Sequence, residues 1–156
     1  MEGLGQPLMQ LKILLSNMAY VVLDVGRMMQ PAMKNLLLVM LGGGIGAATR
    51  YGVNLLAARA WGPYFPSGTL TVNLTGCFLI GLLLALADRG RFLTPEMRLL
   101  LITGFLGALT TFSAFSMETI AAGQAGMRVQ SVINILVNNL GGLTLTVFGL
   151  WVAGVK

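Results

Sequence analysis

The chain has 156 residues, 56% of them hydrophobic and only 10% charged, and ten Lys and Arg against five Asp and Glu give a formal charge of +5. A soluble domain carries about 25% charged residues, so this composition excludes an ordinary water-soluble fold and indicates one membrane domain. Histidine is absent and Cys77 is the single cysteine, which excludes an internal disulfide and the usual zinc sites, while the positive excess fits membrane flanks and implies no nucleic-acid partner.

Residues 1–32 admit three readings. Leu8–Leu23 is apolar but carries Lys12, Ser16 and Asn17 and is closed by Asp24, so its unbroken part is too short for a span of about 20 residues. It reads as an interfacial helix. It lacks the small-residue cleavage site of a signal peptide. The run Met33-Lys34-Asn35 is an alternative start of the chain, with the preceding residues mis-assigned. Residues 33–156 read as a four-helix transmembrane domain.

The first span is expected over about 35–58. Gly42, Gly43, Gly44 and Gly46, then Ala47 and Ala48, follow its apolar start and allow close approach of another helix. The Gly42-x-Gly44-x-x-Ala47 spacing imitates a dinucleotide fingerprint but has no βαβ unit around it. Arg50 reads either as a side chain snorkelling to the interface or as an anion attractor at a pore mouth. Trp61-Gly62-Pro63-Tyr64-Phe65-Pro66 is a loop with interfacial aromatics and helix-ending prolines.

The second span runs over about 68–87, and Thr69, Asn73 and Gly76 share one face by the i, i+4, i+7 rule. That polar face either joins helices or lines a water path. After the polar loop from Asp88, Thr94 is the expected N-cap of the third span, with Pro95 at the first helical position. The fourth span, about 129–153, carries Asn134, Asn138, Gly142 and Thr146 at intervals of four, a slowly drifting stripe that faces protein or water and not lipid.

The third span, about 96–122, holds the most informative stretch. Gly104 and Gly107 precede the paired hydroxyls Thr110 and Thr111, the rings Phe112 and Phe115, and the carboxylate Glu118. A helix breaks at membrane depth only where protein or a water-filled cavity receives the freed backbone groups, and the break is expected near Gly107–Thr111. Freed carbonyls there suit Na⁺. One chain offers too few of them, so a two-fold homodimer is the economical assembly. Phenyl rings have positive edges, and Asn73, Thr111, Ser113 and Thr146 have donors that replace part of an anion's hydration shell. A full cation in that position would hold the anion too tightly. No catalytic set exists, since Cys77 lacks a base and no acid pair is visible, so the chain is not read as an enzyme.

Three motifs, Gly43-Gly44-Ile45-Gly46-Ala47-Ala48-Thr49-Arg50-Tyr51, Gly68-Thr69-Leu70-Thr71-Val72-Asn73-Leu74-Thr75-Gly76 and Gly104-Phe105-Leu106-Gly107-Ala108-Leu109-Thr110-Thr111-Phe112-Ser113-Ala114-Phe115, resemble in order and spacing the CrcB/Fluc family of fluoride channels. The resemblance covers Met33–Lys156. It implies an all-α membrane protein of four transmembrane helices with a broken third helix, assembled as an antiparallel, dual-topology homodimer in the lipid of the cell inner membrane. It also implies passive export of fluoride, which lowers fluoride toxicity, and a structural Na⁺ that is not transported. By resemblance, Gly107 and Thr110 supply the Na⁺ carbonyls. Asn73, Phe112 and Phe115 line the fluoride path with help from Thr111, and Thr146 belongs to the fourth-span track. Arg50 and Glu118 match vestibule positions. Gly142 stands where that track often has serine, Asn134 where tyrosine is common, and Ala114 where threonine is usual.

The positive-inside rule gives the side of the two termini Lys34, Arg89, Arg91, Arg98 and Lys156, against Arg50, Arg59 and Arg128 opposite, a small margin that suits insertion in both orientations. Two other functions compete. A small dual-topology multidrug/proton exporter needs a carboxylate in its first span, and that span has none. A non-conducting membrane assembly protein would use the same small and hydroxyl residues for packing alone.

Overall fold

The computed structural model describes residues 5–62, 66–88 and 93–154. Arg89, Arg91 and Lys156 of the charge comparison, and Pro63, Tyr64 and Phe65 of the aromatic loop, lie outside them. The chain divides into two units, Met1–Leu37 and Leu38–Lys156, with the boundary inside the first helix, α1 (Gly5–Trp61). All the elements are helical: α2 (Ser67–Asp88), α3 (Pro95–Met97), a π-helical stretch Arg98–Leu106, α4 (Gly107–Leu109), α5 (Phe112–Gln124), α6 (Arg128–Leu136), a second π-helical stretch Val137–Gly141, and α7 (Gly142–Val152). Four segments are long and apolar enough to cross a membrane: Met29–Trp61, Ser67–Asp88, Pro95–Gln124 and Arg128–Val152. The protein is therefore an all-helical, multi-pass membrane protein. The first segment begins earlier than the sequence suggests, because Pro31 lies within α1 and does not end it.

Local chemistry explains the boundaries. Thr94 caps α3 as expected: its side chain accepts from Met97 N–H, and Pro95 takes the first turn. The α5 helix ends at a Schellman turn. Gly126 there has φ +81°, Met127 N–H reaches the carbonyl of Ala122 at 2.9 Å, and Gly126 N–H reaches that of Gly123 at 3.1 Å.

Two packing seams place the functional residues. On α1, a Cβ built at Gly42 would lie 2.1 Å from the carbonyl oxygen of Leu100, and one at Gly46 would lie 2.2 Å from that of Phe105. Glycine there lets α1 touch the main chain of the π-helical stretch, a contact without a hydrophobic driving force in lipid that depends on closeness. The second seam joins α2 to α7. A Cβ at Gly81 would meet the carbonyl oxygen of Thr146 at 2.2 Å, and one at Gly149 would meet that of Phe78 at 2.3 Å. Phe78 and Phe148 close this seam with ring centroids 5.8 Å apart.

The wide turn at Val137–Gly141 has a positional effect. Four residues overshoot a 3.6-residue α-turn, so a stripe repeating every four drifts around an ideal helix. A π-turn bonds i to i+5 and takes up the overshoot. Asn134 before it, Asn138 within it, and Gly142 and Thr146 after it all meet α2 or the third span.

Candidate functional site

The helical run of the third span stops at Leu109 and resumes at Phe112. Between them Thr110 (φ −82°, ψ 152°) and Thr111 (φ −152°, ψ 117°) are extended. An unbroken helix would give Thr111 N–H to the carbonyl of Gly107 and Ala114 N–H to that of Thr110. Here Thr111 N–H goes to Asn73 Oδ1 at 2.8 Å, and Ala114 N–H goes to Thr111 Oγ1 at 3.2 Å. Thr111 is thus the N-cap of α5, with Ser113 Oγ 3.1 Å from its hydroxyl. The donors that would have covered the carbonyls of Gly107 and Thr110 are committed elsewhere.

The face of α2 read from the sequence meets this break residue by residue. Thr69 Oγ1 donates to Glu118 Oε1 at 2.7 Å. Asn73 pairs with both backbone groups of Thr111, its Nδ2 donating to the carbonyl at 3.2 Å. A Cβ at Gly76 would lie 2.2 Å from Thr110 Cγ2, so only glycine admits the threonine there. Asn73 Nδ2 also donates to Asn138 Oδ1 at 3.0 Å. Both of its hydrogens are therefore engaged, where the sequence alone suggests two free donors.

Asn73, Gly76, Cys77 and Ile80 of α2, Ile102 to Thr111 of the third span in part, Phe112, Phe115, and Asn138 and Asn139 of the fourth span line a cleft of about 360 Å³. The two rings stand beside it with centroids 5.4 Å apart and planes inclined by 58°. They differ in environment: Phe115 is 7% exposed and Phe112 76% exposed in the single chain. Gly107 and Thr110 lie on the wall of the same cleft.

Of the residues singled out from the sequence, Asn73, Gly107, Thr110, Thr111, Phe112 and Phe115 are brought together in this cleft. Thr146, Arg50 and Glu118 are not among its lining. The Thr146 hydroxyl folds back onto the carbonyl of Gly142 at 3.0 Å. Arg50 is half-buried on α1, one turn before Asn54. Glu118 lines a separate polar cavity of about 190 Å³ with Asn54, Ser67, Gly68 and Thr69. There Asn54 Oδ1 and Glu118 Oε2 are buried without a hydrogen-bond partner among the described residues, in a space roomy enough for water.

Asn138 is the member that residue-type reasoning did not assign to the site. The four-residue stripe placed it on a polar face, but the pairing with Asn73 is 65 positions distant in sequence. Asn138 Nδ2 in turn donates to Asn134 Oδ1 at 2.8 Å and to the Asn134 carbonyl at 3.1 Å. Asn134 is 1% exposed and donates to Thr119 Oγ1 at 2.8 Å. Chemically, the cleft is lined by amide and hydroxyl side chains, two phenyl rings, and Gly107 and Thr110, with no Asp, Glu, Lys or Arg on its wall.

Residues 37–150 match the model of the family described as CrcB-like protein, Camphor Resistance (CrcB). Similar relatives include the "Fluoride-specific ion channel FluC" of Legionella pneumophila (strain Paris), 48% identical over 118 residues covering 75% of this chain and 87% of the relative. The protein of the same description from Shewanella amazonensis is 44% identical over 117 residues, covering 75% and 94%. That from Rhizobium etli is 52% identical over 99 residues, covering 64% and 79%.

Proposed function

The chain belongs to the CrcB-like protein family, and from that premise we propose that it is a fluoride-selective ion channel that lets fluoride leave the cell passively across the inner membrane. The observation that carries the reading is the convergence of Asn73, Thr111, Phe112 and Phe115 on one cleft beside a two-residue extended break within a membrane-crossing segment. Hydrogen-bond donors and ring edges stabilise a small anion without a fixed cation, which leaves it weakly enough held to move on.

In this mechanism an arriving fluoride takes the Asn73 hydrogen that makes the longer bond, 3.2 Å to the Thr111 carbonyl. The Thr111 and Ser113 hydroxyls, already paired at 3.1 Å, turn one hydrogen to the anion, and the edges of Phe112 and Phe115 complete its shell. Selectivity follows from size: fluoride is the halide small enough for such donors to close around. Arg50 and Glu118 act outside this cleft, at the mouths of the path, and Thr146 continues it along the fourth span.

The working form is an antiparallel homodimer with dual topology. The exposed ring of Phe112 and the two uncovered carbonyls suit a second copy placed against the break. The residues present fit a Na⁺ ion: the carbonyls of Gly107 and Thr110 have lost the N–H groups that would cover them, and a second chain doubles the number of oxygens. When bound, such a cation would offset the clustered carbonyl dipoles of the break.

The test is efflux from liposomes loaded with fluoride and containing the purified chain, read with a fluoride electrode. Rapid efflux is expected, with chloride retained. A trace no faster than protein-free liposomes would reject the reading.

A further inference from the structure

The hydrogen bonds around the cleft close into a ring whose two ends are main-chain groups. The ring leaves Thr111 N–H and passes through Asn73, Asn138 and Asn134. It reaches Thr119 Oγ1, which donates to the carbonyl of Phe115 at 2.7 Å. It therefore begins and ends on the first turn of α5, four residues apart. A main-chain N–H only donates and a main-chain carbonyl only accepts. Thr111 N–H thus requires the oxygen of Asn73, whose nitrogen then requires the oxygen of Asn138, and so on around. Each amide orientation follows from these fixed ends and not from a choice between look-alike atoms.

The far side of the ring is dry: Asn134 is 1% and Thr119 5% exposed, and neither lines the cleft. Water has no access there to replace a lost partner. If that side lost the Thr119 hydroxyl, Asn134 would be free to turn its nitrogen toward Asn138, whose own nitrogen would then keep only the 3.1 Å bond to the Asn134 carbonyl. An Asn138 that turned in answer would press its nitrogen on Asn73, whose oxygen is already claimed by Thr111 N–H.

We propose that Asn134 and Thr119 are positioning residues of the fluoride path: through Asn138 they hold the Asn73 amide so that an arriving anion meets its N–H groups and not its oxygen. This rests on the channel reading, since it assigns a purpose to the orientation of a residue in that path. The two residues touch no ion themselves.

The test compares Thr119→Val, which keeps the shape and removes the hydroxyl, with Thr119→Ser, which keeps the hydroxyl. The full-length chain is ¹⁵N-labelled and reconstituted. Two quantities are read: fluoride efflux per folded protein, and hydrogen exchange of the Asn73 side-chain amide by NMR. Thr119→Val is expected to slow efflux on the order of tenfold, the effect of losing one buried hydrogen bond's preference, and to speed exchange at Asn73. Thr119→Ser should stay within about twofold of the parent in efflux. If Thr119→Val does not fold, Asn134→Leu, close in volume, carries the same comparison. Unchanged exchange at Asn73, or a lower melting temperature with efflux per folded protein intact, would overturn the proposal. Should the parent chain pass no fluoride, the channel reading fails by itself, and the exchange comparison still decides whether the pair orients Asn73.

Discussion

Replacing Asn73 by alanine separates the two things that this residue does. From the sequence the expected cost to folding is small, because little volume is lost. The structure raises it. Asn73 receives Thr111 N–H at 2.8 Å and donates to the Thr111 carbonyl at 3.2 Å, and Thr111 is only 9% exposed. Without Asn73, a buried N–H loses its acceptor, which costs about 1–3 kcal/mol. The carbonyl bond is longer and its oxygen has a second lone pair, so its loss adds less. Asn73 borders an existing cleft, so the cavity contribution stays small. The sum is about 2–3 kcal/mol of stability. The assay is two-part: a thermal denaturation curve in detergent, and fluoride efflux normalised to the fraction still folded. Lower stability and efflux reduced at least about tenfold are expected. A variant as stable as the parent would refute the backbone-bridging argument, and undiminished efflux would remove Asn73 from the path.

The two rings should respond differently to isoleucine. Phe112→Ile, at a position 76% exposed in the single chain, should leave the folded chain's stability within about 0.5 kcal/mol, whereas Phe115→Ile, at 7% exposed, should cost about 1–3 kcal/mol; both should lose most of their efflux, and retention in either would deny that ring an edge contact with the ion. Gly81→Ala places a Cβ 2.2 Å from the Thr146 carbonyl, where a C···O contact needs about 3.3 Å. The α2–α7 seam must open by roughly 1 Å, and a net loss of about 2 kcal/mol is expected despite alanine's better helix propensity; an unchanged melting curve would contradict the main-chain contact. Purification and assay in choline salts in place of Na⁺ should weaken the dimer on a sizing column and slow efflux, and identical behaviour in both media would dismiss the proposed cation.

What the sequence made legible was what depends on periodicity. Thr69, Asn73 and Gly76 were read as one face of α2, and the structure sets them against Glu118, Thr111 and Thr110 in turn. Thr94 and Pro95 announced the start of the third span for reasons confined to four residues. The partner of Asn138 was not legible, because a polar stripe says that a side chain faces protein but not which one, across 65 positions. The wide turns at Arg98–Leu106 and Val137–Gly141 were also hidden. They leave no residue signature of their own; the first lies with its main chain against Gly42 and Gly46 of α1. Glu118, read as a vestibule residue, lines a separate cavity, and the Thr146 hydroxyl turns back onto its own helix at the carbonyl of Gly142, a local bond that spacing does not reveal.

The ring from Thr111 to Phe115 is built only of asparagine amides, a threonine hydroxyl and main-chain groups. None of these gains or loses a proton between mildly acid and alkaline conditions. Acid is where fluoride is most dangerous, because it then slips through lipid as neutral HF and dissociates in the more alkaline interior. An exit whose donors keep the same arrangement whatever the acidity remains open to the ion when the load is greatest.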